Sequence, residues 1–329
     1  MKMHITDYEK LYEIELCCIT QLCGRNIQLK NYVYESIRRY YGGYKYSEQQ
    51  NKWRDNVFVN EVNTGRKKYE VISISSIEDL MSYIGLNKQS LMVEYLKNVV
   101  DECQYNNMVE NINDDVERVL IEINNDIKKL GDVEICYNST YIWDVIANSI
   151  IKTTDECELY DLNNLELFKI FLNTLKEMLI YKPRDIFVLF ENIDHFLYKN
   201  EYDELVRKMM EISDSFNVVF INSMCLDDYL YIDERIYSGI NIFNDEIYNL
   251  PCKTRIEEFI LNNYPKNNSL DRINLDNTMG RIVNRIGSGN NLYTINEMVI
   301  LKLINTSMNK IETLEISENC KLELAYLKE

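Results

Sequence analysis

Apolar residues change their spacing several times along the chain, and each change predicts an element. "LYEIELCCITQLCG" is an apolar, strand-like run that ends in a loop at Gly24. "LKNYVYESIRRYY" then sets Leu29, Tyr32, Val33, Ser36, Ile37 and Tyr40 at helical spacing. "NVFVNEVNTGRKKYEVISI" reads as two strands about a turn at Asn63–Thr64–Gly65. "SSIEDLMSYIG" opens on a helix-capping pattern. From Lys88 to about Ile151 the period becomes helical, with Val109, Ile112, Val116, Val119, Leu120, Ile123 and Ile127 as the expected buried stripe. That stretch predicts an antiparallel helical pair inserted into an α/β domain.

The α/β pattern returns with a helix that stops near Pro183. "RDIFVLFENI" is continuously apolar, as a strand covered on both faces requires. A helix at "EYDELVRKMMEIS" and a strand at "NVVFINS" complete a right-handed, parallel βαβ unit. Beyond Pro251 the pattern is mostly amphipathic helix, with a turn at Gly287–Asn291.

The first strand, loop and helix raise a chemical question. A phosphate-binding loop reads G-x-x-x-x-G-K-[ST]. Gly24 and Lys30 stand at the right spacing, but Leu29 replaces the second glycine and Asn31 replaces the hydroxyl residue. A Cβ at Leu29 intrudes where backbone must approach phosphate. The strand that ought to end in a magnesium-holding Asp ends in Phe190–Glu191. The frame of a nucleotide-binding fold is present, with its chemistry altered at three places.

Composition narrows the choices. The chain has 329 residues, three prolines and ten glycines, which favours long regular elements over flexible linkers. No stretch reaches the roughly 18 apolar residues of a membrane span. The start, "MKMHITDYEKLYEIEL", has acids where a signal peptide has its apolar core, so a cytoplasmic protein is expected. Nine cysteines form no C-x-x-C pair, which signals neither a zinc site nor a disulfide framework. With only His4 and His195, a histidine-based catalytic site has two residues to draw on. Net charge is −17, but Leu22–Lys68 holds ten basic and four acidic residues. That segment is +6 and the rest −23, an asymmetry that suits one face meeting a polyanion.

Taken together, "LCGRNIQLKNYVYESIRRYY", "VNTGRKKYEVISI", "IGLNKQSLMVEYL" and "KPRDIFVLFENIDHFLYKNEYDELVRKMMEISDSFNVVFINS" resemble a known family. It is the CRISPR-associated protein of type II-A systems that forms rings on DNA ends and serves spacer acquisition, in its long subtype. The likeness runs from about Leu11 to Leu250.

The resemblance implies a degenerate P-loop-like α/β head with a parallel sheet (1–87 and 152–250). It also implies an inserted antiparallel helical leg (88–151) and a helical C-terminal extension (251–329) that extends subunit contacts. It implies a homotetrameric ring that threads duplex DNA from free ends, without sequence preference. No nucleotide and no NTP hydrolysis are expected. The implied partners are the spacer integrase complex and the type II effector nuclease, with no membrane. Channel candidates are Lys30, Arg38, Arg39, Arg66, Lys67 and Lys68. Gly24, Lys30, Asn31 and Glu191 mark the altered nucleotide positions. The resemblance also brings calcium, for which Asp115, Glu122 and Asp126 fall near one helix face. Two other readings stay open at this stage: an NTPase with a divergent loop, and an interaction protein that never touches nucleic acid.

Overall fold

The structure is a computed structural model that describes residues 1–7, 10–45, 55–225, 229–265, 272–287, 294–309 and 326. The chain divides into two compact units, Met1–Ile77 with Pro183–Glu329, and Glu78–Lys182. No described helix is long and apolar enough to cross a membrane.

The first unit is a mixed α/β body. β1 (Lys2–Asp7) and β2 (Lys10–Glu15) form an antiparallel pair, and β4 (Val57–Val59) joins the other edge of β1. A second, six-stranded sheet meets them where Glu15 and Asn241 bond across. Its order is β5 (Glu70–Ile74), β6 (Ile186–Phe190), β7 (Val218–Ser223), β3 (Ile19–Cys23), β8 (Ile240–Phe243), β9 (Ile247–Asn249). The first five strands are parallel and β9 runs antiparallel at the edge. β3 and β6 are buried throughout; β6 is apolar at every position, while β3 also buries Thr20 and Gln21. α7 (Lys199–Ser215) links the parallel neighbours β6 and β7, so the expected βαβ unit is present.

α1 (Ile27–Tyr41) lies between the two sheets. Its N-cap Asn26 accepts a bond from the Leu29 N–H at 3.0 Å, and the Gly42 N–H closes its far end on the Arg38 carbonyl at 2.9 Å. Val33, Tyr34, Ile37, Tyr40 and Tyr41 form the stripe that joins Met3, Ile5 and Val57 on one side to Leu22, Phe187 and Ile221 on the other. Truncating Ile37 to Ala at this junction would cost roughly 2–5 kcal/mol.

The two strands expected about Asn63–Gly65 are present, but they do not pair with each other. β4 pairs with β1, while β5 pairs in parallel with β6. Ladder bonds to a fully buried strand outweigh what a three-residue partner offers. The connecting turn is tied to α1 instead. Tyr40 donates to Asn63 Oδ1 at 2.5 Å, and the Tyr41 and Thr64 hydroxyls meet at 3.0 Å.

The C-terminal segment adds α8 (Lys253–Asn263), α9 (Arg272–Ile282) and α10 (Ile295–Ser307) to this same unit. Ile256, Ile260, Leu275, Val283, Ile300 and Ile304 are buried there. The expected turn at Gly287–Asn291 falls outside the described residues after Gly287.

The second unit holds α2 (Ile77–Ile84, from its second residue), α3 (Leu91–Val99), α4 (Glu102–Ile127), α5 (Ile142–Ala147) and α6 (Asn164–Tyr181). It encloses the 88–151 segment. The expected antiparallel helical pair is corrected here. α4 is one long helix, and the chain returns along it without helix over 131–141. Asparagine side chains hold that return. Asn124 bonds both the N–H and the carbonyl of Ile135, at 2.9 and 3.0 Å. Asn113 bonds the N–H and carbonyl of Thr140, each at 3.0 Å, and Asn106 accepts from the Ile142 N–H at 3.0 Å. The expected buried stripe is corrected too. Val109 is buried, but Ile112 is 59% and Val119 58% exposed. An extended strap covers less of a helix than a second helix does.

Candidate nucleic-acid interface

α1 leaves the carboxyl ends of the parallel strands and runs back toward their amino ends. The residues singled out from sequence therefore separate into two groups at opposite ends of the sheet.

At the carboxyl end, only Gly24–Asn26 separate β3 from the helix. Leu29, Lys30 and Asn31 already belong to α1. No loop of the length that wraps a phosphate exists. The N–H groups there have protein acceptors. Arg25 N–H donates to Asn244 Oδ1 at 2.9 Å, Asn26 N–H to the Phe243 carbonyl at 2.9 Å, and Leu29 N–H to Asn26 Oδ1 at 3.0 Å. Gly24 has φ +94°, and a Cβ on it would sit 2.3 Å from the Phe243 carbonyl oxygen. The turn is sealed against β8.

Lys30 is 3% exposed and its ammonium donates to the Met224 carbonyl at 2.6 Å. It is therefore a buried core cation, which corrects its assignment as a channel residue. Asn31 is exposed. Asp194, in the short turn that follows β6, is the buried carboxylate here rather than Glu191, and it accepts from the Cys225 N–H at 2.8 Å. Burial raises the Cys225 thiol, Lys30 opposes this, and Asp194 and Glu191 add to it. Lys30 and Asp194 thus both bond the backbone that follows β7.

At the amino end the basic residues gather near the surface. Arg38 Nη2 donates to Glu35 Oε2 at 2.9 Å, and Arg39 Nε reaches the same carboxylate at 2.8 Å. Burial alone would raise the Glu35 carboxyl, but these two bonds hold it below the usual range. Arg66 Nη1 donates to the Tyr44 carbonyl at 3.4 Å, and its guanidinium lies 5.7 Å from the Tyr40 ring centre. Arg38 lies 5.5 Å over the Tyr44 ring. Lys68 pairs with Asp185, which raises the lysine above its ordinary value. Lys67 is exposed and takes no ion pair among the described residues. An exposed pair such as that of Lys68 holds by only about 0–1 kcal/mol, so a polyanion can compete for it, while the Arg38–Glu35–Arg39 set is half-buried. Lys52 and Arg54 of the basic segment lie outside the described residues.

The proposed metal ligands Asp115, Glu122 and Asp126 are all exposed on α4. Asp115 pairs with Arg118 at 2.9 Å. Among the described residues, no three His, Cys, Asp or Glu side chains converge on a point that could hold a metal.

Two features escaped the sequence reading. Asn244, 5% exposed, joins the Gly24 turn to the C-terminal segment through bonds to Asn284 and Ile286. The Tyr40–Tyr41 pair fixes the basic turn. The only sequence signal for the second was its place directly after Arg38–Arg39.

The sequence matches the family profile of the CRISPR-associated protein Csn2, subfamily St, over residues 5–308. This chain belongs to the Csn2 family. Csn2 proteins are CRISPR accessory proteins, and membership implies a role in spacer acquisition. No curated protein matches the chain. Among solved structures, Stu0660 of Streptococcus thermophilus matches at TM-score 0.82 and 22% identity, covering 99% of each chain, which shows a shared fold. The SMC head bound to the C-winged helix domain of ScpA reaches TM-score 0.41 at 13% identity, over 78% of this chain and 98% of that one. That likeness is too slight to build on.

Proposed function

We propose that this Csn2 chain binds double-stranded DNA at free ends, without sequence preference, as a homotetrameric ring that supports acquisition of new spacers. The reading is non-enzymatic, cytoplasmic, and takes no nucleotide. The observation that carries it is the grouping of Arg38, Arg39, Arg66, Lys67 and Lys68 on one surface of a protein whose net charge is −17. A ring with such surfaces inward and acids outward lets an acidic chain hold DNA. Phosphate contacts from lysine and arginine give affinity that falls with salt and carries little sequence information.

The head is proposed as a degenerate descendant of a P-loop fold, with 88–151 as its leg and 251–329 as its extension. The spacer integrase complex and the type II effector nuclease are its proposed partners. Calcium is proposed to serve the assembled ring, with Asp115, Glu122 and Asp126 each meeting ligands from other subunits. Chelation would then lower the oligomeric state measured by light scattering, and an unchanged tetramer would discard the ion. The NTPase reading is opposed by the engaged N–H groups of the Gly24 turn.

The deciding experiment is a gel shift with linear and covalently closed duplexes of one sequence. Binding confined to linear DNA and abolished by high salt is expected. Equal binding to closed circles would end the ring-loading idea, and no shift for either would end DNA binding itself.

A further inference from the structure

β2 and β3 are read as one run in the sequence but are broken at residues 16–18, where the chain bends. Neighbouring side chains in a strand point to opposite faces. The bend cancels that alternation for Cys17 and Cys18 and brings their sulfurs to 3.9 Å. Local bonds fix the geometry. Cys17 N–H donates to Thr20 Oγ1 at 3.1 Å, and the Thr20 hydroxyl donates to the Cys17 carbonyl at 3.2 Å. The Cys18 carbonyl accepts from the Phe220 N–H at 3.0 Å, which anchors the pair to β7. Gly239 makes room for the pair, since a Cβ there would lie 2.8 Å from Cys17 Cβ. Both cysteines are partly exposed.

From this juxtaposition we propose that Cys17 and Cys18 form a peroxide-sensitive vicinal dithiol, with Cys17 as the attacking thiolate and Cys18 as the resolving thiol. The surroundings suit the roles. A hydrogen bond from the Cys18 thiol, with N–H groups of Cys18 and Ile19 and the Ser238 hydroxyl, pulls Cys17 down to about 6 against the effect of burial. The same bond, then burial, pushes Cys18 up. In its thiol form Cys17 donates to the Arg235 carbonyl at 3.1 Å, and deprotonation releases that bond. Asp214, Asp233 and Arg235 are the charged side chains on this side, and they pair among themselves.

The chemistry balances with a hydroperoxide as oxidant. The Cys17 thiolate attacks one peroxide oxygen, the O–O bond breaks, and hydroxide leaves as Cys17 becomes a sulfenic acid. Cys18 sulfur then attacks Cys17 sulfur, an S–S bond forms, and the sulfenic oxygen departs as water with the Cys18 proton. Two electrons pass from the thiols to the peroxide, and an added dithiol reverses the change.

Four exposed cysteines on the same chain, Cys103, Cys136, Cys157 and Cys252, serve as internal controls. With limiting iodoacetamide near pH 7, full-length protein should alkylate Cys17 about tenfold faster than these four, because its thiolate fraction is larger. One equivalent of hydrogen peroxide should remove two hydrogens from the peptide carrying Cys17 and Cys18 and make both refractory to alkylation. Cys18→Ser should stop at a Cys17 sulfenic acid trapped by dimedone, and Cys17→Ser should leave Cys18 unreactive. Thermal transitions of both variants show whether they fold. Slower alkylation of Cys17 than of the four controls overturns the assignment in native protein alone, whatever the variants do. Oxidation that stops at sulfenic acid in the native chain, or that links Cys17 to a distant cysteine, overturns the resolving role.

Discussion

The two ends of the parallel sheet have gone separate ways. At the carboxyl end, where nucleotide-binding α/β folds place their phosphate site, the polar groups are inward and bonded within the protein. At the amino end, cations lie nearer the surface, in pairs that run from the half-buried Arg38–Glu35–Arg39 set to the exposed Lys68–Asp185 pair. Buried complementarity makes the first end rigid and chemically closed. Loose pairing makes the second open to exchange of one anion for another. The same residue type, lysine, is therefore a structural member at position 30 and a candidate contact at position 67.

The largest effect expected along this comparison is at the open end. Reversing Arg66, Lys67 and Lys68 to Glu should weaken linear-duplex binding roughly a hundredfold or more and flatten the salt slope by about three, equally for unrelated sequences. The midpoint of thermal unfolding should hardly move. A loss confined to one sequence would contradict phosphate contact.

The closed end should answer in stability instead. Gly24→Ala is expected to cost about 3 kcal/mol or more in urea unfolding, because the new methyl meets β8 backbone at a left-handed φ. An alanine variant as stable as the parent would show that the turn is not sealed. Lys30→Met keeps the volume but leaves the Met224 carbonyl without its donor, and should cost about 2 kcal/mol. Calorimetry with ATP and magnesium should give no heat for the parent chain, whereas micromolar binding would reverse the reading of both ends.

Tyr40→Phe and Tyr41→Phe sharpen the comparison where stability and binding meet. Each removes one hydroxyl bond to the basic turn, worth about 1 kcal/mol. Affinity for DNA should fall while every charge stays in place. The smallest effect is in pH. Burial pushes Tyr34 and Tyr41 up to about 12. Their folded values lie above the unfolded value near 10, so their contribution is whole below pH 10 and is lost as pH rises toward 12. Phenylalanine at either position should flatten that decline, and an unchanged slope would mean these hydroxyls stay wet.

Much of this was legible in the sequence because burial leaves a period. The α1 stripe fell where Val33, Ser36, Ile37 and Tyr40 are buried, and "IFVLF" announced a strand covered on both faces. The return along α4 was not legible, because Asn106, Asn113 and Asn124 hold it by bonding backbone, and such bonds impose no hydrophobic rhythm. The partners of β4 and β5 were hidden for a related reason. Local turn chemistry at Asn63–Gly65 was read correctly as a turn, but strand partners are chosen by distant ladders. The basic residues could be named from charge alone, whereas the burial of Lys30 depends on where β7 ends, which no local pattern states.

Asn244 has a consequence for experiments that remove the C-terminal segment. Its amide oxygen holds the Arg25 N–H, and its amide nitrogen is held by carbonyls of Asn284 and Ile286. Tail and turn are thus two ends of one latch. A chain cut after β9 would not be this protein minus an appendage. It would be a protein whose Gly24 turn keeps its bonds to Phe243 and Asn244 but whose Asn244 amide has lost the two carbonyls that orient it. Amide exchange at Arg25 would report on residues 260 positions downstream in the sequence.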